Sequence, residues 1–249
     1  MVNGLDIFRE YFAGYENQYV LIGGTACDVL FESNDASFGA TKDVDMVLIV
    51  EALTKEFGSR LWQFINDAGY RNKFTNEGKP QFYRVDKPEK AEYPKMLELF
   101  ARTEIELHEF RGLTPVHIDD EVSSLSAIML NDDYYKILVQ GKVNAQGISV
   151  LRPEYLILFK IRAHMDLKQK KGQGEDVRDS DIRKHKNDVL RISAELMLNE
   201  VPELPTSVRN DLQSFIASLE IEPFDYNSLH RYGIKTEDVI QRLNEIYKL

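Results

Sequence analysis

The chain of 249 residues is 43% apolar and 29% charged, carries a net charge of −10 and contains a single cysteine, Cys27. That length supports a substantial core in one large domain or two modest ones, and the composition is that of a soluble globular protein. One cysteine excludes an intrachain disulfide, the acidic balance argues against a uniformly basic nucleic-acid coat, and no stretch approaches the length of a membrane span. With no signal-peptide pattern in MVNGLDIFREYF, the expectation is a cytoplasmic protein without membrane contact.

Leu5, Ile7, Phe8 and Phe12 lie at roughly helical spacing, which predicts a helix over residues 4–16. Tyr19-Val20-Leu21-Ile22 then reads as a strand that stops at Gly23-Gly24. Thr25 to Phe31 reads as a short helix, with apolar Ala26, Val29 and Leu30. A helix that starts straight after two glycines presents free backbone N–H groups and the positive end of its dipole, which is the chemistry of a phosphate seat. A Gly-Gly pair also serves as a plain turn, and both readings stand at this point.

After a polar loop, Asp43-Val44-Asp45-Met46-Val47-Leu48-Ile49-Val50 reads as a second strand. Side chains alternate across a strand, so Asp43 and Asp45 share a face with roughly 7 Å between their Cα atoms. Two carboxylates that close disfavour each other's ionised form unless a cation sits between them. A divalent metal facing the glycine turn would satisfy both, although an isolated Asp-x-Asp is also common on solvated surface. The run Met46 to Val50 that follows Asp45 argues for a buried setting.

The order strand, Gly-Gly, short helix, Asp-x-Asp strand resembles the nucleotidyltransferase superfamily, whose core is shared with DNA polymerase β. The runs Gly23-Gly24-Thr25-Ala26 and Thr41-Lys42-Asp43-Val44-Asp45 look most like the AbiEii type, the toxin half of some bacterial toxin-antitoxin and phage-defence pairs. The resemblance covers about residues 19–100. It implies an α+β fold, a mixed sheet with flanking helices followed by a helical domain. The implied reaction is Mg2+-dependent transfer of a nucleoside monophosphate from an NTP, with Mn2+ as an alternative ion. Asp43 and Asp45 would hold metal, and Gly23, Gly24 and Thr25 would bind nucleotide. The acceptor could be RNA, a protein hydroxyl or a small molecule, and an antitoxin protein is an implied partner.

Thr54 can cap a helix to about Ala68, with Phe57, Leu61, Phe64 and Ile65 as its apolar stripe, Trp62 packing beside it and Gly69 ending it. Tyr70–Thr75 and Gln81–Val85 read as strands joined by a turn over 76–80. In the strand Lys95–Phe100, Glu98 shares a face with Met96 and Phe100, where an unpaired charge is costly. The resemblance makes Glu98 the third metal and catalytic carboxylate; an ion pair with Arg84 or Arg102 is the alternative. Ile128–Leu130, Tyr134–Val139 and Ile148–Leu151 read as short strands with a turn over 140–142, and His108 and His117 as ordinary histidines without metal-ligand spacing.

From Arg152 the pattern changes to long helices, which places a boundary between a nucleotidyltransferase domain, 1–151, and a helical domain, 152–249. Helices are predicted over 153–170, over 179–198 and, as two or three pieces with a break at 222–225, over 202–249. Residues 160–191 hold ten Lys and Arg against six Asp and Glu, a local basic balance that suits a nucleotide or an RNA end, or simply solvated helix faces. Lys160 stands in an apolar part of its helix, where it either snorkels or serves the site. The resemblance assigns nucleotide phosphates to Lys160 and further polar groups to a Lys-Asp-x-x-Asp run. That run is matched here by Lys184-His185-Lys186-Asn187-Asp188, with His185 in place of the first aspartate. Lys184 and Asp188 would then bind nucleotide, or form an i,i+4 ion pair. The resemblance sets the active site in the groove between the two domains.

Overall fold

The structure, a computed structural model, describes residues 2–34, 36, 38, 41, 43–74, 80–101, 131–201 and 203–249. Residues 76–79, Ile128–Leu130, His108 and His117 lie outside the described residues, together with the expectations placed on them. The fold is α+β. Its elements are α1 (Leu5–Tyr11), β1 (Tyr19–Ile22), α2 (Gly23–Glu32), β2 (Asp43–Leu48), α3 (Lys55–Ala68), β3 (Arg71–Phe74), β4 (Pro80–Asp86) and β5 (Met96–Phe100). There follow α4 (Asp132–Gly141), β6 (Lys142–Ala145), β7 (Ile148–Leu151), α5 (Pro153–Gly172), α6 (Asp179–Glu195), α7 (Thr206–Ile221), α8 (Tyr226–Tyr232) and α9 (Thr236–Tyr247).

The chain divides into two compact units. The first holds the described residues up to 101 and the strands β6 and β7; the second holds α4 and Arg152–Leu249. In the first unit the strands form one mixed sheet in the order β3-β4-β5-β2-β1-β7-β6. β2 runs parallel to β5 and β1 parallel to β7, while the other neighbours are antiparallel. Tyr19 packs against Phe8, Phe12 and Phe57, and Phe8 and Phe12 each meet Phe64. α1 and α3 therefore cover the sheet face that carries Tyr19, Leu21 and Met46. All five rings are essentially solvent-free, and burying such side chains contributes roughly 2–3 kcal/mol each. The opposite face carries Asp43, Asp45 and Glu98.

The start of α3 follows its sequence signal: Thr54 Oγ1 accepts from Phe57 N at 3.2 Å, and Gly69 closes the helix in the left-handed region. Tyr134–Val139 departs from it, being helical rather than extended. Its aromatic and β-branched content favours a strand. However, Asn131 Oδ1 accepts from the backbone N of Asp133 at 2.9 Å and of Tyr134 at 3.3 Å, and the buried Tyr134, Tyr135, Ile137 and Leu138 recur at helical spacing. The strand β6 was not predicted. It pairs with β7 across a two-residue turn at Gln146-Gly147, both with positive φ.

In the second unit α5 is the central element. Tyr155 to Phe159 are buried without a break, so its first half is enclosed on all sides, and its last turns are polar. α6 and α7 pack on it, the latter through Val208, Leu212, Phe215 and Leu219. α4 belongs here because Tyr134 meets Phe159 edge-on at 5.4 Å and donates to Asp211 Oδ2 at 2.8 Å. The stretch before Arg152 thus contributes one helix to the second unit. No helix among the described residues is long and apolar enough to cross a membrane.

Candidate functional site

The first unit brings six of the predicted residues together. β1 ends at Ile22, and Gly23, with φ +66°, turns the chain directly into α2. Ile22 offers no side-chain cap, so the first-turn N–H groups of α2 have no side-chain acceptor from that position. Three contacts lock this turn against the start of β2. A methyl group built on Gly23 would lie 1.9 Å from Asp45 Oδ2, and one built on Gly24 would lie 2.7 Å from Thr41 Oγ1. Thr25, fully buried, donates its hydroxyl to the carbonyl of Asp43 at 2.5 Å. The glycines are needed because the carboxylate of Asp45 and the hydroxyl of Thr41 occupy the space that a side chain would fill.

Register sets the carboxylates. Asp45 pairs with Ile22 on one side and with Glu98 on the other, and Glu98 pairs in turn with Arg84. Residues directly opposite in neighbouring strands share a face, so Asp45, Glu98 and Arg84 form a row with strand spacings of about 4.8 Å, and Asp43 lies two residues along on the same face. Asp43 and Asp45 are half-buried; Glu98 is only 8% exposed. Its Oε1 is bonded to Nη2 of Arg84, a pair in which both side chains are largely buried. Glu98 therefore sits where the resemblance places a third carboxylate and also makes the ion pair that was its alternative.

Among the described residues, no three His, Cys, Asp or Glu side chains converge closely enough to hold a metal ion. The donor set is nevertheless compatible with Mg2+, a cation commonly held by one or two carboxylates with waters and substrate phosphates filling its octahedron. Asp43 and Asp45 would supply carboxylates, with Glu98 beside Asp45 in the same row and bonded to Arg84.

The remaining predicted residues lie in the second unit. Lys160, 5% exposed, donates to Asp188 Oδ2 at 2.7 Å, linking α5 to α6 inside that unit. Asp188 pairs with Lys160, and Lys184 is exposed and forms no i,i+4 bridge with it. Beside the pair, the buried His164 ring places Nδ1 2.9 Å from the Ile182 carbonyl, and burial lowers its pKa. The Nδ1 of His185 is buried without a hydrogen-bond partner. Burial, then the charges of Lys160 and Lys184 and the nearby His164, push the pKa of His185 down to about 3. Sequence reasoning missed the Lys160–Asp188 pairing and His164. The signal was there: His164 follows Lys160 by one turn, and His185 precedes Asp188 by three residues, so each pair shares a helix face.

The basic balance of 160–191 is mostly spent internally. Arg162 pairs with Asp211, Lys168 with Glu222, Lys170 with Asp166, Lys171 with Asp179, Arg178 with Asp181 and Arg191 with Glu195. Lys186 donates to the carbonyls of Glu222 and Pro223. This favours solvated, self-paired helix faces over a continuous cationic track. A groove of about 730 Å³ on the second unit, lined by Leu219, Ile240, Glu220 and Glu237 among others, contains none of the predicted residues.

Compared with protein-family models and with curated proteins, the chain matches none. Among solved structures it is similar to an antigenic nucleotidyltransferase-like protein from Paracoccidioides brasiliensis, with 19% identity, 94% of each chain covered and a TM-score of 0.44. A likeness that loose leaves function to be argued from the chain's own residues.

Proposed function

We propose that the protein is a nucleotidyltransferase, moving a nucleoside monophosphate from an NTP to an acceptor hydroxyl with release of pyrophosphate. One observation carries the reading. The first turn of α2 and the Asp43-x-Asp45 strand are held against each other, so that the carboxylate of Asp45 lies over Gly23. A triphosphate at the helix start would meet backbone N–H donors there, while its charge would need cations that the two carboxylates can hold.

Asp43 and Asp45 would hold Mg2+, or Mn2+ in its place, which when bound supplies neutralisation of charge on the phosphates. The glycine turn and Thr25 would fix the phosphates for in-line attack by the acceptor oxygen at the α-phosphorus, breaking the bond to pyrophosphate. Most of the acceleration would come from this positioning and charge neutralisation. Glu98 would steady the Asp45 side of the row, its own charge offset by Arg84. Lys160 would reach a phosphate only by exchanging Asp188 for it, so the proposal rests on the first unit. The AbiEii-type reading adds that the chain is the toxin of a toxin-antitoxin or phage-defence pair, with an antitoxin protein as partner and RNA among its acceptors.

The test is incubation with each of four radiolabelled NTPs, Mg2+ and total cellular RNA and protein, comparing the wild type with the Asp43→Ala/Asp45→Ala double change. Label transferred by the wild type alone establishes the activity and names the acceptor class. NTP binding without transfer would point to a binding module instead, and release of inorganic phosphate in place of pyrophosphate to a phosphohydrolase.

A further inference from the structure

The groove of about 730 Å³ on the second unit runs between α7 and α9. The two helices are antiparallel. Arg209, in the first turn of α7, donates to the Lys248 carbonyl just past α9, while Leu219 and Glu220 at the end of α7 line the groove with Thr236 and Glu237 at the start of α9. Each helix is anchored on a different neighbour, α7 on α5 and α9 on α6, so the walls do not depend on an occupant. Val239, Leu243 and Ile246 of α9 are buried, whereas Glu237, Ile240, Gln241, Asn244 and Glu245 recur at helical spacing as a second stripe that lines the groove. Glu237 and Glu245 stand roughly 12 Å apart along the axis, with Ile240 between them. Gln241 donates to Glu245 at 2.9 Å and leaves its charge in place.

Glu220 adds a third carboxylate from α7, and none of the described residues lining the groove is cationic. Apolar surface is left in water at the same place: Leu249 in the lining is 38% exposed, and Ile221, next to Glu220 in the last turn of α7, is 84% exposed. Thr236, only 6% exposed, lines the groove with a hydroxyl that has no hydrogen-bond partner. An apolar floor among carboxylates repels nucleic acid and anionic lipid, and complements a chain that carries apolar and cationic side chains together.

We propose that this groove docks an amphipathic, basic helix of a partner protein. Its apolar side chains lie on Leu219, Ile240 and Leu249, and Lys or Arg residues about eight positions apart match the roughly 12 Å between Glu237 and Glu245. The docking site lies on the second unit and does not rest on the nucleotidyltransferase reading.

The experiment is fluorescence anisotropy of the whole protein with two labelled peptides of about 15 residues and helical pattern, one of Leu and Lys and the other with Glu in place of every Lys. The Leu/Lys peptide is expected to bind with a Kd of about 10 μM or tighter, and the Leu/Glu peptide at least tenfold more weakly. Ile240→Ser and the Glu237→Lys/Glu245→Lys double change are each expected to weaken the Leu/Lys peptide at least tenfold, while Glu175→Lys/Asp176→Lys, on the exposed segment between α5 and α6, stays within twofold of the wild type. Circular dichroism confirms that each variant is folded, and Leu249→Ser replaces Ile240→Ser should the latter unfold. Absence of binding, equal binding of the two peptides, or an Ile240→Ser variant within twofold of the wild type overturns the inference. So does a loss in the Glu175→Lys/Asp176→Lys control as large as that in the groove variants, which would mark attraction by net charge alone. Sedimentation of the wild type as a dimer that Ile240→Ser dissociates would give the groove to a second copy of this chain and overturn it equally.

Discussion

Gly23 and Asp45 compete for the same space: a methyl group on the glycine would stand 1.9 Å from the Oδ2 of the aspartate, on a backbone already in the left-handed region at φ +66°. Gly23→Ala must therefore displace the carboxylate or unwind the first turn of α2. It is expected to cost about 1–3 kcal/mol and to lower nucleotidyl transfer at least tenfold. Urea denaturation and the label-transfer assay check both. Gly14→Ala is the control, since Gly14 has φ +85° but nothing within 4 Å of the added methyl; it should lose only about 1 kcal/mol and keep full transfer.

The Lys160–Asp188 pair holds α5 to α6 from inside the second unit. Lys160→Met leaves a buried carboxylate without its partner and is expected to destabilise by about 3–5 kcal/mol. Replacing both, with Lys160→Met and Asp188→Leu, should recover much of that loss, because two desolvated charges are removed together. A double-mutant cycle by chemical denaturation measures the coupling; a double variant as unstable as the sum of the singles would show that the pair contributes nothing by itself.

Thr54 serves three bonds. Its hydroxyl accepts from Phe57 N at 3.2 Å and donates to Oε1 of the buried Gln18 at 3.2 Å, and its backbone N donates to the same oxygen at 2.9 Å. Thr54→Ala removes the helix cap and should cost about 1–2 kcal/mol, while Thr54→Ser should stay within about 0.5 kcal/mol of the wild type. Thermal or urea unfolding of the three proteins side by side separates these outcomes.

The cap at Thr54 was legible because it depends on residues three apart, and so were the β1–Gly23-Gly24–α2 turn and the shared face of Asp43 and Asp45. Local periodicity and turn chemistry carry that information. The pairing of Glu98 with Arg84 was not decidable, because it depends on the β4–β5 register that sets Arg84 opposite Glu98; Arg102, the other candidate, lies outside the described residues. The Lys160–Asp188 bond joins residues 28 apart on different helices, so a heptad-scale reading offered Asp188 the wrong lysine, Lys184. Tyr134–Val139 failed for another reason: its strand propensity is real, and packing on α5 with a cap from Asn131 overrides it.

His185 gives the second unit an acid sensitivity whose direction follows from where it sits. Its ring is largely buried, its Nδ1 has no hydrogen-bond partner, and Lys160 and His164 on α5 and Lys184 on its own helix all oppose a further positive charge, which lowers its pKa from the usual 6.5 to about 3. The unfolded chain takes up the proton as pH falls through 6.5, and the folded chain resists it until about pH 3. Stability is thus complete above the unfolded value and declines as pH falls between the two, by at most about 1.4 kcal/mol per pH unit. The lowered pKa of His164 acts in the same direction. Carboxylates titrate below pH 5, so the effect is read between pH 7 and 5.5. Over that range the urea midpoint of the wild type should fall by the equivalent of about 1 kcal/mol, and His185→Gln should show a clearly flatter dependence. Parallel curves for the two proteins would mean that His185 is protonated in the folded state with little penalty, and that its unpartnered nitrogen is reached by water.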